Sequence, residues 1–319
     1  MVKPGWFDTF FILRPTLFFP AWTFFLAGYS RGNGSNPALL MLWLAAGMGA
    51  SFLLNQLSDR QEDRLNSKLW ALWGKYLSTR TIYAELVLLI AAAVVGGIWA
   101  GLELSLLLTA YFLIGGYFYN FPPFRLKARP ISGIIACGIG VWLFFLIGMR
   151  AGEGALLPGL VYGLPYALAG AAVTLLTHVP DIKGDRQAGV RTFPAVYGLT
   201  KTGAWACGLV GLCAILTYFL RDYILLAASL ISLPFFIRYY LLKSSETAQF
   251  AVKISIFCIA IGVGLTWIPF LVIIALYYPF ARWYHRERLG LNYPGFDSKV
   301  TPEESVIVQK RQMEEIETI

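Results

Sequence analysis

The chain has 319 residues, of which 57% are apolar, 16% are aromatic and only 14% are charged. Soluble domains carry about 25% charged residues, and a soluble protein of this size cannot bury so many apolar side chains. The composition therefore excludes an ordinary cytosolic enzyme, a disordered chain and a disulfide scaffold, and it predicts an all-α polytopic membrane protein. The formal net charge of +8 is interpreted as an orientation signal, with no nucleic acid as partner, because membrane proteins concentrate Lys and Arg in cytoplasmic loops.

Nine apolar runs are long enough to cross about 30 Å of hydrocarbon, and they predict a helical bundle around a central cavity. These runs cover residues 10–30, 38–58, 82–100, 103–120, 131–150, 158–178, 203–220, 222–242 and 250–276. Arg14-Pro15 within the first run, and the lack of a small-x-small site, argue against a cleaved signal peptide. We expect a transmembrane domain over residues 1–280 and a polar C-terminal tail over residues 281–319.

The loops between these runs differ in their content of basic residues. Loops after the second, fourth, sixth and eighth runs hold fifteen Lys and Arg, whereas the intervening loops hold only Arg31, Arg150 and Arg221. The positive-inside rule therefore predicts that the N-terminus and the base-rich loops lie in the cytoplasm, with the protein in the plasma (inner) membrane. Nine crossings would put the basic residues of the tail on the opposite side, against this rule.

Two acidic clusters lie at the predicted cytoplasmic ends of the second and sixth runs. Asn55, Asp59 and Asp63 are spaced by four residues, and Asp181 and Asp185 repeat that spacing. Side chains four residues apart lie on one face of a helix. Carboxylates held together at a membrane boundary either rise in pKa or bind a cation. Oxygen ligands of this kind suit Mg²⁺, which shares them with phosphate groups.

Basic residues accompany both clusters and could neutralise the remaining charge of a phosphate group. They are Arg60, Arg64, Lys68, Lys183 and Arg186. The pattern predicts a diphosphate held through Mg²⁺ beneath an apolar helix bundle, with an apolar chain of that diphosphate among the helices. The alternative is a pair of solvated helix ends that face basic loops, and the two matched clusters disfavour it.

The two acidic clusters resemble the aspartate-rich motifs of the UbiA superfamily of intramembrane prenyltransferases. Arg14-Pro15 resembles the Arg-Pro at the start of the family's first span. Residues 117–127 resemble its tyrosine, proline and basic motif after the fourth span, and residues 185–194 resemble the stretch after its second motif. The resemblance extends from about residue 10 to residue 276.

This resemblance implies a Mg²⁺-dependent enzyme that moves a polyprenyl group from its diphosphate to an apolar acceptor, which could be aromatic, a quinone precursor, a carotenoid or another lipid. The implied metal ligands are Asn55, Asp59, Asp63, Asp181 and Asp185. The implied contacts to the diphosphate are Arg125 and Lys127. Tyr117 and Tyr119 would stabilise an allylic carbocation through their ring faces.

Departures from the family pattern bear on the acceptor. Gln56 stands where the family often has Asp, and residues 38–54 contain no charge, which disfavours a carboxylated aromatic acceptor. A membrane terpene cyclase on the same scaffold is the alternative function. A cation-coupled transporter ranks lower, because transporters place their binding sites near the membrane midplane, whereas these acids cluster at one edge.

Overall fold

The computed structural model describes residues 5–59, 77–289 and 292–295. The regular secondary structure of these residues is entirely helical, which confirms the predicted all-α class. The chain forms two compact units, residues 1–266 and residues 267–319.

The first unit contains the described helices that carry or adjoin the acidic residues. Its described helices are α1 (Trp6–Ile12), α2 (Phe18–Tyr29), α3 (Ala38–Ser58), α4 (Thr79–Ala100), α5 (Leu102–Tyr111), α6 (Pro130–Ala151), α7 (Leu156–Thr177), α8 (Ile182–Gln187), α9 (Phe193–Phe219), α10 (Tyr223–Leu242) and α11 (Ser245–Gly264). A π-helical segment, Phe112–Phe118, continues α5, and a 3₁₀ turn, Leu126–Ala128, precedes α6. In the second unit, α12 covers Ile268–Leu289.

Seven of the described helices are long and apolar enough to cross a membrane, namely α3, α4, α6, α7, α9, α10 and α11. α5 together with its π-helical continuation is a shorter apolar segment, Leu102–Phe118. A membrane helical bundle is therefore confirmed, but the predicted count of nine spans is not.

The first predicted run is not one continuous helix. α1 ends at Ile12, Arg14 adopts a left-handed conformation with φ 55°, and Pro15 begins a short 3₁₀ turn before α2. Proline disfavours the α conformation of the residue before it and has no N–H group to donate. Arg14-Pro15 therefore separates α1 from α2.

The ninth predicted run, residues 250–276, also contains a break. α11 ends at Gly264, and α12 begins at Ile268 with Pro269 in its first turn, where the missing N–H costs no helical hydrogen bond. α12 continues past residue 280, the predicted end of the transmembrane domain, and Arg286 and Arg288 lie in its last turn.

Glycines bring α2 and α6 into close contact at the centre of the first unit. A Cβ atom on Gly28 would lie 2.0 Å from the carbonyl oxygen of Phe145, and one on Gly148 would lie 1.8 Å from that of Phe25. No side chain fits in either position, so the two helix backbones approach as only small residues allow. α6 also packs on α7, whose C-terminal end leads to the second acidic cluster.

A buried ionic network joins the ends of helices remote from the acidic clusters. Asp222 caps α10 by accepting the N–H of Leu225 at 3.2 Å. Its second oxygen accepts hydrogen bonds from Arg31 Nη2 at 2.6 Å and from the Tyr166 hydroxyl at 2.7 Å. This network ties together the loop after α2, the middle of α7 and the start of α10.

Candidate active site

The first acidic cluster lies where α3 ends, beside the segment that follows the π helix. The amide nitrogen of Asn55 donates to Asp59 Oδ2 at 2.9 Å and to Asn120 Oδ1 at 2.8 Å. Asn120 is buried, and its own nitrogen donates to the Gly116 carbonyl at 2.7 Å. That bond turns Asn120 Oδ1 toward Asn55. Because both Asn55 bonds use its nitrogen, its amide oxygen takes part in neither and is the atom suited to a cation.

Lys127 enters this cluster from the 3₁₀ turn before α6. Its ammonium group forms an ion pair with Asp59 Oδ1 and donates to Ser58 Oγ at 2.6 Å. Only 8% of the residue is exposed. Burial alone lowers the pKa of the Lys127 amine to about 7, whereas the adjacent Asp59 carboxylate favours the charged form. The positive charge of this buried ammonium therefore depends on a neighbouring anion.

The second acidic cluster lies between α7 and α9. Asp181 is the capping residue immediately before α8, and Asp185 lies in the first turn of that helix. The start of one short helix therefore positions both residues. Asp185 is 7% exposed, and its Oδ2 atom accepts the hydroxyl of Thr192 at 2.9 Å. Thr192 is itself buried immediately before α9. The orientation of this carboxylate is thus set by a hydroxyl outside the acidic motif.

Tyr119 links the surroundings of the two clusters. Its hydroxyl forms a hydrogen bond with Cys137 of α6 and is close enough to Asp185 to interact with its charge. The next residue, Asn120, binds Asn55 of the first cluster. Two adjacent residues, Tyr119 and Asn120, therefore interact with one residue of each cluster, Asp185 and Asn55 respectively.

Tyr117 has different surroundings. Its exposed fraction is 45%, and its ring stacks on Phe121 with centroids 5.6 Å apart. The ring of the partly buried Phe118 lies edge-on to the Tyr117 ring, with centroids 5.8 Å apart. These contacts are typical of an aromatic residue at a membrane interface, so of the two predicted tyrosines Tyr119 is the one positioned among the site residues.

The predicted basic residues are distributed unevenly. Arg125 begins the turn that presents Lys127 and adopts a left-handed conformation with φ 38°. Lys183 and Arg186 are exposed on α8, and Arg186 donates to the Ala195 carbonyl at 3.3 Å. Four predicted site residues lie outside the described residues, namely Arg60, Asp63, Arg64 and Lys68.

Three contact residues were missed when the sequence was considered alone: Ser58, Asn120 and Cys137. Ser58 and Asn120 stand inside or beside the motifs, and a signal was available, because an asparagine or serine at the end of an apolar run needs a partner. Cys137 gave no such signal, since a lone cysteine in an apolar run is usually a packing residue.

The donor chemistry of the two clusters fits Mg²⁺. The available ligands are carboxylate and amide oxygens, and an ammonium group already binds Asp59 where a cation would. Among the described residues, no group of three or more His, Cys, Asp or Glu side chains could hold a metal by itself. Magnesium sites commonly use one or two carboxylates and take their other ligands from substrate phosphates and water.

An apolar cavity lies inside the first unit, bordered by α2, α7, α9, α10 and α11. Its wall includes Phe24, Val173, Val210, Ser232, Phe236 and Ile256. The Ser232 hydroxyl donates to a carbonyl of its own helix at 2.6 Å. The wall consequently offers an apolar surface to whatever enters.

Comparisons of the sequence and of the fold with known proteins point to one family. Residues 16–259 match the sequence model of the UbiA prenyltransferase family. Chlorophyll synthase from Avena sativa is 27% identical over 171 residues, which are 50% of this chain and 44% of that protein. Digeranylgeranylglyceryl phosphate synthase from Methanoculleus marisnigri is 32% identical over 196 residues, which are 58% of this chain and 68% of that protein. This chain thus spans less than half the length of the chlorophyll synthase.

The fold also has a solved counterpart. A UbiA homologue from Archaeoglobus fulgidus, whose structure was determined with GPP and Mg²⁺ bound, superimposes with a TM-score of 0.65. The superposition covers 81% of this chain and 99% of that one, at 21% sequence identity. At this identity the likeness concerns the fold.

Proposed function

We propose that this chain, which belongs to the UbiA prenyltransferase family, is a Mg²⁺-dependent membrane enzyme that transfers a polyprenyl group from its diphosphate to an apolar acceptor. One observation carries the proposal. Two adjacent residues interact with both acidic clusters: Asn120 with Asn55 of the first, and Tyr119 with Asp185 of the second. The relatives named as synthases of chlorophyll and of digeranylgeranylglyceryl phosphate support a prenyl donor.

The proposed metal ligands are Asn55, Asp59, Asp181 and Asp185, together with Asp63 from outside the described residues. When bound, Mg²⁺ stabilises the diphosphate as a leaving group by acting as a Lewis acid. Arg125, Lys127, Lys183 and Arg186 supply positive charge for the remaining phosphate oxygens. The same assignment extends to Arg60, Arg64 and Lys68.

Departure of the diphosphate produces an allylic carbocation, which the protein must stabilise and protect from water. The Tyr119 ring stands beside Asp185 and is held by Cys137, and the negative face of an aromatic ring attracts a cation. We assign this role to Tyr119, with Tyr117 at the membrane interface. The apolar cavity and the uncharged residues 38–54 favour an apolar acceptor over a carboxylated one.

The test uses the purified chain in lipid nanodiscs with geranylgeranyl diphosphate and Mg²⁺, with and without a membrane lipid extract, and measures released pyrophosphate and products. Asp59→Asn and Asp185→Asn should each lower pyrophosphate release at least about 100-fold, because each removes a charged ligand. Chelation of Mg²⁺ should abolish release. Glu153→Gln, in the loop after α6, is the matched control and should retain the wild-type rate.

Near-wild-type release by both aspartate variants would contradict the metal assignment. A new hydrocarbon formed without the extract would identify a terpene cyclase and overturn the transferase proposal. Cation flux in proteoliposomes that needs no prenyl diphosphate would instead identify a transporter.

A further inference from the structure

The contact between Lys127 and Asp59 has a consequence for cation binding. Asp59 Oδ1 is engaged by the Lys127 ammonium, and Ser58 Oγ donates to the same oxygen at 2.8 Å. Asp59 Oδ2 accepts the Asn55 amide at 2.9 Å. Both oxygens of the carboxylate are therefore already bonded within the protein.

A divalent cation at Asp59 must bind next to the ammonium, either in its place on Oδ1 or at the remaining acceptor position of Oδ2. Two positive charges at ion-pair distance repel each other strongly where burial lowers the effective dielectric constant. Lys127 is 8% exposed, so it cannot leave Asp59 for solvent without rearranging the turn that carries it. A buried ammonium that loses its anion pays a large desolvation penalty.

A diphosphate changes this balance because it offers Lys127 a second anion. A displaced ammonium could exchange the Asp59 carboxylate for a phosphate oxygen and stay neutralised. Binding of the cation and binding of the diphosphate would then favour each other, and such coupling is reciprocal between two ligands.

We propose that Lys127 is an internal competitor for the cation at Asp59, so that Asp59 binds a divalent metal tightly only together with a diphosphate. This inference rests on the proposed function, since it takes the diphosphate as the ligand. It makes Lys127 a residue that selects the metal–diphosphate complex over the free metal.

The experiment measures binding to the purified full chain in nanodiscs, with Mn²⁺ as the paramagnetic probe and radiolabelled inorganic pyrophosphate as the anion. Lys127→Gln removes the charge and keeps a hydrogen-bond donor for Ser58 and Asp59. We expect its affinity for Mn²⁺ alone to rise at least about tenfold, because the competing charge is gone. Its affinity for pyrophosphate in the presence of Mn²⁺ should fall at least about tenfold, because an anion contact is lost.

Three variants separate this effect from a general change of charge. Lys201→Gln removes one exposed positive charge on α9 and should leave both affinities within about twofold of wild type. Lys127→Arg keeps the charge and should keep the weak binding of Mn²⁺ alone. In an Asp59→Asn background, Lys127→Gln should no longer raise the affinity for Mn²⁺.

An unchanged affinity of Lys127→Gln for Mn²⁺ alone, in a chain whose wild type binds Mn²⁺ with pyrophosphate, would overturn the inference and leave the proposed function standing. A wild-type chain that binds no pyrophosphate even with Mn²⁺ would overturn both. Should Lys127→Gln fail to fold, Ser58→Ala removes the other hydrogen-bond partner of the ammonium, and a smaller rise in Mn²⁺ affinity, about threefold, is expected. No rise in Ser58→Ala would count against the inference.

Discussion

The hydroxyl of Thr192 positions the buried carboxylate of Asp185. A carboxylate that is 7% exposed needs hydrogen-bond donors, and Thr192 supplies one at 2.9 Å. Thr192 also begins α9, so this single hydrogen bond connects the second acidic cluster to the next long helix. The orientation of Asp185 toward the proposed metal therefore depends on where α9 starts.

Thr192→Val should keep the shape of this side chain and remove the donor. A hydrogen bond to a charged group contributes about 1.5–3 kcal/mol, so we expect at least tenfold lower kcat/KM for pyrophosphate release and a higher Mg²⁺ concentration at half-maximal rate. Steady-state kinetics over a Mg²⁺ series measures both. Thr192→Ser retains the hydroxyl and should restore most of the rate; equal losses in the two variants would contradict the positioning role.

Asn120 orients Asn55 in the first acidic cluster, as Thr192 orients Asp185 in the second. Its nitrogen is committed to the Gly116 carbonyl, and this fixes which atom of Asn55 faces Asp59. The spacing of the sequence predicts Asn55 as a metal ligand, but the direction of its amide is set by a hydrogen bond to Asn120, far along the chain.

At the scale of elements, α2 and α6 make the closest backbone contact described between two long helices. Glycine usually destabilises a helix interior. At Gly28 and Gly148 the backbone contact between the two helices, which leaves no room for a Cβ atom, offsets this loss. Removing side-chain volume is how membrane helices gain packing contacts in the absence of a strong hydrophobic driving force.

Gly148→Ala should destabilise the chain, because the new Cβ would lie 1.8 Å from the Phe25 carbonyl oxygen. Overpacking of this kind costs about 1–3 kcal/mol or more, which should lower the thermal unfolding midpoint by several degrees in detergent. Gly208→Ala on α9 is the matched control, since nothing lies within 4 Å of its added Cβ. A similar unfolding midpoint for both variants would show that the close α2–α6 contact does not determine the stability of the chain.

Local backbone features also explain why the first and ninth predicted runs are each divided into two helices. Hydropathy averages over a run and is insensitive to a single residue, whereas Pro15 and Pro269 each stand in the first turn of a new helical segment. The apolar pattern therefore predicted where the membrane segments lie more reliably than where each helix begins.

At the scale of the whole molecule, we propose that the distribution of charge sets the orientation of the chain in the membrane. The loops that carry the two acidic clusters are also the base-rich ones. On the other side, Arg31 pairs with Asp222 and Arg150 pairs with Glu103, so two of the three bases there are neutralised. Both features support a site that opens toward the cytoplasm.

Single cysteines test this orientation. Arg191→Cys lies in the loop between α8 and α9, and Ser35→Cys lies in the loop between α2 and α3; both positions are exposed. A membrane-impermeant maleimide applied to right-side-out membranes should label Ser35→Cys at once and Arg191→Cys only after permeabilisation. The unsubstituted chain serves as the blank for its four native cysteines. The reverse labelling pattern would invert the proposed topology.

The sequence by itself determined the helical membrane class, the family resemblance and the spacing of the acidic residues, because hydropathy and four-residue periodicity are local properties of the chain. Only the tertiary structure decided that Lys127 binds Asp59, that Asn120 orients Asn55 and that Tyr119 rather than Tyr117 stands beside Asp185. These pairs are separated along the chain and meet only when the helices pack. Their geometry depends on the packing of the π-helical segment against α3 and α6, which no local pattern encodes.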